Sequence, residues 1–257
     1  MEQRTFFWWV GYVLETYGTW FLRGAGVTML IALSGTIIGL AIGLLIGAIH
    51  TIPLSKNKGG SPLRRGLLRV VNTVLSVYVE VFRGTPMIVQ AMVIYYGLME
   101  GFGIDLSPIP AGILIVSINT GAYMAEIVRG GIQSIDPGQT EAAQAIGMSH
   151  WQTMFHVILP QAIRNILPAT GNEFVINIKD TSVLNVITVS ELFFMTKSVK
   201  GVIYRTYEPF LVAAAIYLVL TFTVTRVLRL LEKRMDGPRD FTLATSSTMP
   251  ESILHKK

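Results

Sequence analysis

Two carboxylates and one amide recur at helical spacing in an otherwise apolar stretch of the chain. Glu173, Asn177 and Asp180 follow an i, i+4, i+7 pattern, which places them on one helix face over about 10 Å. In a bilayer each such charge costs about 2.5–3.5 kcal/mol on the insertion scale, so these groups normally face a cavity or a partner. We expect the face to bind cationic groups. The structural alternative is that the carboxylates form ion pairs that lock the helices together. The available cations are Lys179, Arg129 and Arg164.

Weaker candidates for the same polar surface lie on two other apolar segments. Gln90 follows a proline-containing break, and Asn119 begins a second i, i+4, i+7 series with Tyr123 and Glu126. Glu126 and Arg129 are three residues apart, so a simple ion pair between them is the competing interpretation.

The composition indicates that a membrane surrounds these groups. The chain has 257 residues, of which 51% are hydrophobic and 14% are charged, against about 25% charged in soluble domains. The net charge of +5 arises from basic residues beside apolar runs, which favours membrane topology over nucleic-acid binding. The absence of cysteine excludes disulfides and thiolate zinc sites. The four histidines show no ligand-like spacing, so neither a metal site nor a catalytic group is expected.

The hydropathy pattern predicts an all-α membrane protein with five transmembrane helices. The expected spans are residues 26–49, a stretch within 67–99, 109–128, a span from 160–168 to about 189, and 210–231. We expect the second span to break at Arg83-Gly84-Thr85-Pro86, because Pro86 cannot donate to a helix ladder.

Three regions follow from this pattern. Residues 1–23 are rich in aromatic side chains and lack the features of a cleavable signal, so we expect an extracytoplasmic interfacial segment. Residues 24–234 form the transmembrane domain. Residues 235–257 are polar and predict a disordered cytoplasmic tail.

The distribution of basic residues predicts the orientation. Five basic residues lie in the first loop and its flank, five follow the last span, and the second loop has none. The positive-inside rule then places the N-terminus outside and the C-terminus in the cytoplasm. Lysine and arginine within residues 190–209 weaken this bias without reversing it.

A glycine stripe marks the first span. Gly35, Gly39, Gly43 and Gly47 recur every fourth residue, so another helix can approach closely. The stripe predicts either helix packing within the chain or a dimer face.

A capped, polar helix pair is predicted within residues 136–160. Asp136 can cap a helix with Gln139 completing a capping box, Gly147 suits a left-handed stop, and Ser149 with Gln152 makes a second capping box. The pattern alone leaves two uses open, which are docking to a protein outside the membrane and lying on lipid headgroups.

This helix pair resembles the EAA loop of ABC importer permeases. The matching residues are Glu141, Ala142, Ala143, Gly147 and Leu159-Pro160, with Val157 where isoleucine is usual. Two further segments resemble the polar amino-acid uptake subfamily. They are Phe82-Arg83-Gly84-Thr85-Pro86 with Gln90, and Lys179-Asp180-Thr181-Ser182. The resemblance covers about residues 24–234.

The resemblance implies a type I ABC importer permease fold in a bacterial cytoplasmic membrane. Glu141, Ala142, Ala143 and Gly147 would couple to the ATPase subunit. Glu173, Asp180, Asn177, Asn119 and Gln90 would line the substrate pathway. The implied partners are two ATPase copies, a second permease, identical or homologous, and an extracytoplasmic amino-acid-binding protein, besides membrane lipid. ATP and magnesium would bind to the ATPase, since this chain has no GxxxxGK[ST] motif.

The resemblance also orders the possible functions. A permease for basic amino acids (arginine, lysine or histidine) comes first, because two carboxylates suit a basic side chain. Glutamine or another polar amino acid is the alternative substrate. An ion-coupled secondary transporter is less favoured, since we see no internal repeat in the sequence and the helix pair would have no purpose. No enzymatic reaction is expected in this chain.

Overall fold

The computed structural model describes residues 5–50 and 62–235, and all regular structure in these ranges is helical. The α-helices are α1 (Phe6–His50), α2 (Pro62–Gly84), α3 (Met87–Phe102), α4 (Pro108–Gln133), α5 (Pro137–Ala145), α6 (His150–Thr153), α7 (Leu159–Asp180), α8 (Leu192–Ile203) and α9 (Tyr207–Met235). A π-helix joins α6 to α7 over Met154–Ile158, and a 3-10 helix follows α7 over Thr181–Ile187. The expected cytoplasmic tail lies, apart from its first residue, outside the described residues.

Helix α1 is one continuous helix of 45 residues, about 68 Å long at 1.5 Å per residue. The expected boundary between an interfacial segment ending at residue 23 and a separate first span is therefore not present as a break. The aromatic half is held in line because Val13 and Phe21 are buried in a cluster with Leu192 of α8 and Val212 of α9. At this length α1 exceeds the roughly 30 Å hydrocarbon core, so it must tilt strongly or extend beyond the core.

The glycine stripe packs α1 against α4. A Cβ atom added at Gly35, Gly39, Gly43 or Gly47 would lie 2.4–2.8 Å from a side-chain atom of α4. The facing residues are Val116, Thr120, Met124 and Val128. Both series advance by four residues in the same direction, so α1 and α4 are parallel. The stripe serves packing within the chain, which resolves the two interpretations left open by the sequence.

Helix α7 runs antiparallel to α1, α4 and α9. Asn177 contacts Thr120, and Thr170 contacts Met124, so residue numbers fall along α7 as they rise along α4. Gly171 faces Leu228 of α9, whereas Lys179 lines a cavity with residues near Leu218. Helices α1, α4 and α9 therefore run one way and α7 the other. The C-terminal ends of α1, α4 and α9 lie at the same end of the bundle as the helix pair α5–α6.

Three helices are long and apolar enough to cross a membrane, namely α1, α4 and α9. Helices α2 and α3 meet at 115° and together form either a broken span or a re-entrant loop. The bend confirms the break predicted at Arg83–Pro86. The described chain thus offers three or four candidate spans. Helix α7 does not qualify because its polar residues lower its hydropathy, so the fifth span stays a prediction.

The region after α7 differs from the expected span and loop. The α-helical part of the expected span ends at Asp180 and continues as the 3-10 helix to Ile187, close to the expected end near Val189. Helix α8 occupies part of the expected loop 190–209. Glu191 explains this helix, since its carboxylate accepts hydrogen bonds from the backbone N–H of Phe193 at 2.8 Å and of Phe194 at 2.6 Å. It is fully buried, and the Tyr217 hydroxyl also donates to it at 3.1 Å. A buried, capped helix start is favourable here because the orphan N–H groups are satisfied.

Candidate functional site: the helix pair and the polar face of α7

The start and stop signals of the helix pair are confirmed. Asp136 Oδ1 accepts from the backbone N–H of Gly138 at 2.7 Å, and Gly147 has φ +84°. Ser149 and Gln152 form the predicted capping box, with Ser149 N–H donating to Gln152 Oε1 at 2.8 Å and Gln152 N–H to Ser149 Oγ at 3.3 Å. Gln139 is the exception. Asp136 caps the second N–H of the helix rather than the third, and the Gln139 side chain instead approaches Gln161 at 3.5 Å.

The second helix of the pair does not end at Leu159, where the sequence placed its end. The backbone continues from α6 through the π-helix Met154–Ile158 directly into α7. Pro160 occupies the first turn of α7, directly after the π-helix. Continuous helical backbone therefore connects the helix pair to the helix that carries Glu173 and Asp180, with Pro168 inside that helix.

The helix pair presents an apolar surface that only partly matches the predicted one. Glu141, Ala142 and Gly147 are exposed as a docking element requires, but Ala143 is 4% exposed and faces inward. Ile146 is 80% exposed. Two side chains that the sequence reasoning missed extend this surface, since the exposed rings of Trp151 and Phe155 stack at 5.8 Å. Their i, i+4 spacing was the available signal.

Asn177 lies inside the bundle. Its side chain is 3% exposed. Its Nδ2 donates to Thr36 Oγ1 of α1 at 2.9 Å, and Thr120 Oγ1 of α4 donates to its Oδ1 at 3.1 Å. Asn177 thus joins three helices, and its amide is occupied by contacts within the chain.

Gln90 and Asn119 support the bend between α2 and α3. Gln90 Nε2 donates to the carbonyl oxygens of Phe82 and Thr85, both at 2.9 Å. Asn119 Nδ2 donates to Gln90 Oε1 at 2.9 Å. Both side chains are 7% exposed. They satisfy carbonyls that lose their helical partners where Pro86 interrupts the ladder, and they fix this bend to α4.

Glu173 and Asp180 differ from these amides because no cation pairs with them. Glu173 is partly buried and Asp180 is exposed. Neither has a lysine, arginine or histidine nitrogen within 4 Å in the described chain. The two carboxylates interact electrostatically with each other, and Arg83 is the cation that acts on Glu173. The locking ion pairs with Arg129 or Arg164 do not form, and Lys179 acts on Asp180 only at longer range.

Arg83 lies at the centre of a charge cluster that sequence reasoning did not single out. Its Nη1 is 3.6 Å from Glu126, and its guanidinium lies 5.7 Å from the Tyr123 ring centroid. Arg129 makes a closer, two-point contact with Glu126 at 2.6 and 3.1 Å, as the i, i+3 spacing suggested. The Arg83-Gly84-Thr85-Pro86 break therefore brings a cation to the side of α4 and α7 where Glu173 lies.

Comparison with known proteins agrees with this architecture. Residues 59–237 match the family described as binding-protein-dependent transport system inner membrane component. The glutamine transport system permease protein GlnP of Escherichia coli K12 is 40% identical over 215 residues, which cover 83% of this chain and 92% of that protein. The arginine transport system permease protein ArtQ of Bacillus subtilis is 31% identical over 214 residues, which cover 83% of this chain and 91% of that protein.

A solved structure of a related chain has the same fold. The crystal structure of an amino acid ABC transporter with histidines contains a chain that is 39% identical, with a TM-score of 0.75 over 87% of this chain and 97% of that one. The family match spans more than half of the chain, and the curated relatives are covered almost end to end. The chain therefore belongs to the binding-protein-dependent transport system inner membrane component family, as an amino-acid ABC transporter permease.

Proposed function

We propose that this chain is the translocating subunit of an ATP-driven importer that carries polar amino acids, basic ones first. The observation that supports this most is the uninterrupted path from α6 through the π-helix into α7. One end of this path presents the exposed apolar surface of the helix pair, and the other carries the two carboxylates. A force applied outside the membrane would thus reach the polar face of α7 directly.

The partners in this proposal follow from the family and from the surface of the helix pair. Two ATPase subunits bind below, one at each α5–α6 element, through Glu141, Ala142, Ile146 and the rings of Trp151 and Phe155. A second permease, identical or homologous, completes the pathway, and an extracytoplasmic binding protein delivers the amino acid. The N-terminus lies outside and the C-terminus in the cytoplasm of a bacterial cell. Ala143 is buried and shapes the helix pair, whereas the exposed Gly147 is part of its contact surface.

The proposed cycle is alternating access. When ATP closes the ATPase dimer, the docked helix pair moves, and α7 moves with it because helical backbone joins the two. The two permeases then open outward to accept the amino acid. Hydrolysis returns them to the inward-open state. All covalent chemistry takes place in the ATPase.

The basic substrate class rests on Glu173 and Asp180. Both carboxylates lack an ion pair in the described chain, and together they offer partners for an α-ammonium group and a cationic side chain. Asn177, Asn119 and Gln90 are assigned a supporting role, since their hydrogen bonds are made within the protein.

Glutamine is the second candidate substrate, and one observation favours it. The positive charge of Arg83 acts on Glu173, so one negative charge of the site is already partly compensated. A substrate with a neutral side chain, such as glutamine, does not need a second carboxylate in the site. The 40% identity to a protein named as a glutamine permease points the same way.

Uptake in proteoliposomes tests both levels of the proposal. The complete transporter, with ATP inside and binding protein outside, is supplied with labelled arginine or glutamine. The variants Glu173→Gln and Asp180→Asn are compared with the control Glu100→Gln, which changes an exposed carboxylate on α3. We expect the first two variants to lower arginine uptake at least about tenfold, the effect of one lost charge-assisted contact, and the third to have no effect. Unchanged uptake and selectivity in both pathway variants would refute the site. Uptake that needs an ion gradient but no ATP would refute the importer.

A further inference from the structure

A groove lined by three cations runs between α7 and α9. It encloses a cavity of 320 Å³ whose lining includes Lys179, Arg226 and Arg229. A second cavity of 440 Å³ adjoins it, because Lys179, Leu218 and Thr221 line both. No carboxylate lines either cavity in the described part of the chain. The groove therefore offers a strongly positive surface to whatever occupies it.

The two arginines of this groove have no acidic partner in the described chain. Neither Arg226 nor Arg229 has a carboxylate oxygen within 4 Å. The Arg226 guanidinium instead lies over the Phe222 ring at 4.8 Å, which leaves its N–H edge available. An unpaired guanidinium is a strong, two-pronged donor for phosphate oxygens.

The two threonine hydroxyl groups of the smaller cavity are already used as donors. Thr221 Oγ1 donates to the Tyr217 carbonyl at 2.8 Å, and Thr225 Oγ1 donates to the Thr221 carbonyl at 2.7 Å. Lys179 interacts with the neighbouring carboxylate of Asp180. Arg226 and Arg229 are thus the principal donors that the cavity keeps free, and they select an anion.

The other end of the groove, where Lys179 also lies, has large apolar side chains that face away from this chain. Leu218 is 67% exposed and Phe222 is 56% exposed. Both lie on α9, which is apolar enough to span a membrane. The cationic end lies toward the C-terminal end of α9, where Lys233 and Arg234 follow. A ligand that fits both ends has an anionic head and an apolar chain. Basic pockets between membrane helices on the cytoplasmic side bind anionic lipid headgroups by this arrangement.

We propose that the groove between α7 and α9 binds an anionic phospholipid. Arg226 and Arg229 hold its phosphate, and one acyl chain lies along Phe222 and Leu218. Lys179 adds a third positive charge at the junction of the two cavities. The assignment to the cytoplasmic leaflet rests on the proposed function and its orientation, whereas the binding itself does not.

Native mass spectrometry of the complete transporter tests the site. The complex is prepared with its ATPase subunits in detergent and titrated with phosphatidylglycerol or phosphatidylcholine. We expect preferential retention of phosphatidylglycerol. We expect its affinity to fall about tenfold or more in the double variant Arg226→Gln, Arg229→Gln, because two basic contacts are lost. The matched control is Lys233→Gln, Arg234→Gln, which removes the same charge from the same helix outside the cavity and leaves retention unchanged.

Three results would overturn the proposal. One is equal retention of the two lipids by the unaltered complex. Another is an equal loss of phosphatidylglycerol in the control variant, which would indicate attraction by net charge alone. The third is a disulfide between two copies of the Phe222→Cys variant, whose chain contains no other cysteine. This disulfide would show that a second permease covers the groove. Because no ATP or amino acid is needed, failure here leaves the transport assignment intact.

Discussion

At the scale of single residues, the polar side chains of the membrane domain divide by whether their hydrogen bonds are made within the chain. Asn177, Gln90 and Asn119 are buried and fully engaged, whereas Glu173 and Asp180 have no ion pair in the described chain. The i, i+4, i+7 spacing predicted that the three α7 residues share one side of the helix, yet Asn177 is buried and Asp180 is exposed. It did not show that Asn177 turns inward, because its partners Thr36 and Thr120 are 141 and 57 positions away.

Replacing Asn177 with leucine should lower stability rather than change substrate choice. Two interhelical hydrogen bonds are lost, and such bonds are worth about 0.6 kcal/mol each in membrane proteins, with a maximum near 1.7. We expect a loss of about 1–2 kcal/mol in the free energy of unfolding, measured by denaturation in detergent. Asn172→Leu, an exposed position on the same helix, is the control. A selective change in amino-acid uptake with unaltered stability would return Asn177 to the pathway.

At the scale of elements, local signals predicted the helix pair well. Asp136, Gly147 and Ser149 act through backbone groups within three residues of themselves, so their effect can be predicted from sequence. The junction of α6 with α7 and the presence of α8 were not predicted. A proline usually suggests a boundary, but Pro160 occupies a first-turn position after a π-helix. Helix α8 depends on the burial of Glu191 beside Tyr217, which is a tertiary contact.

The packing of α1 on α4 makes Gly43 intolerant of a side chain. A Cβ atom there would lie 2.5 Å from Met124 Cβ and 2.6 Å from its backbone carbonyl carbon. We expect Gly43→Ala to cost about 1–3 kcal/mol, as overpacking does, and to lower the thermal midpoint of the purified complex. Gly26→Ala on the same helix has nothing within 4 Å, so it should be neutral or slightly stabilising. Equal effects of the two substitutions would contradict the close approach of α1 and α4.

At the scale of the whole molecule, hydropathy alone identifies the three most apolar helices but not α7. Helices α1, α4 and α9 appear where long apolar runs were seen, and the broken span bends where Pro86 interrupts it. Helix α7 is not among the candidate spans, because Glu173, Asn177 and Asp180 lower its mean hydropathy. Helix α7 runs opposite to α1, α4 and α9, whereas the five crossings and the side of the membrane that each end faces stay predictions.

Cysteine accessibility can establish this orientation, because the chain contains no cysteine of its own. Asp105→Cys lies in the exposed connection between α3 and α4, and Gln144→Cys is exposed on α5. In whole cells, we expect a membrane-impermeant maleimide to label the first position. Labelling of the second should require permeabilised cells. The reverse pattern would invert the orientation and remove the helix pair from the cytoplasm.

The most direct measurement is the ATPase activity of the complete transporter in nanodiscs, with its ATPase subunits and binding protein, across a panel of amino acids. Our account predicts stimulation by arginine, lysine or histidine that falls in Glu173→Gln. It also predicts loss of stimulation in Ile146→Asp, where the exposed apolar surface of the helix pair gains a charge. Stimulation by glutamine alone would keep the importer and reassign the carboxylates. No association with any ATPase subunit, despite an intact α5–α6 pair, would contradict the central claim.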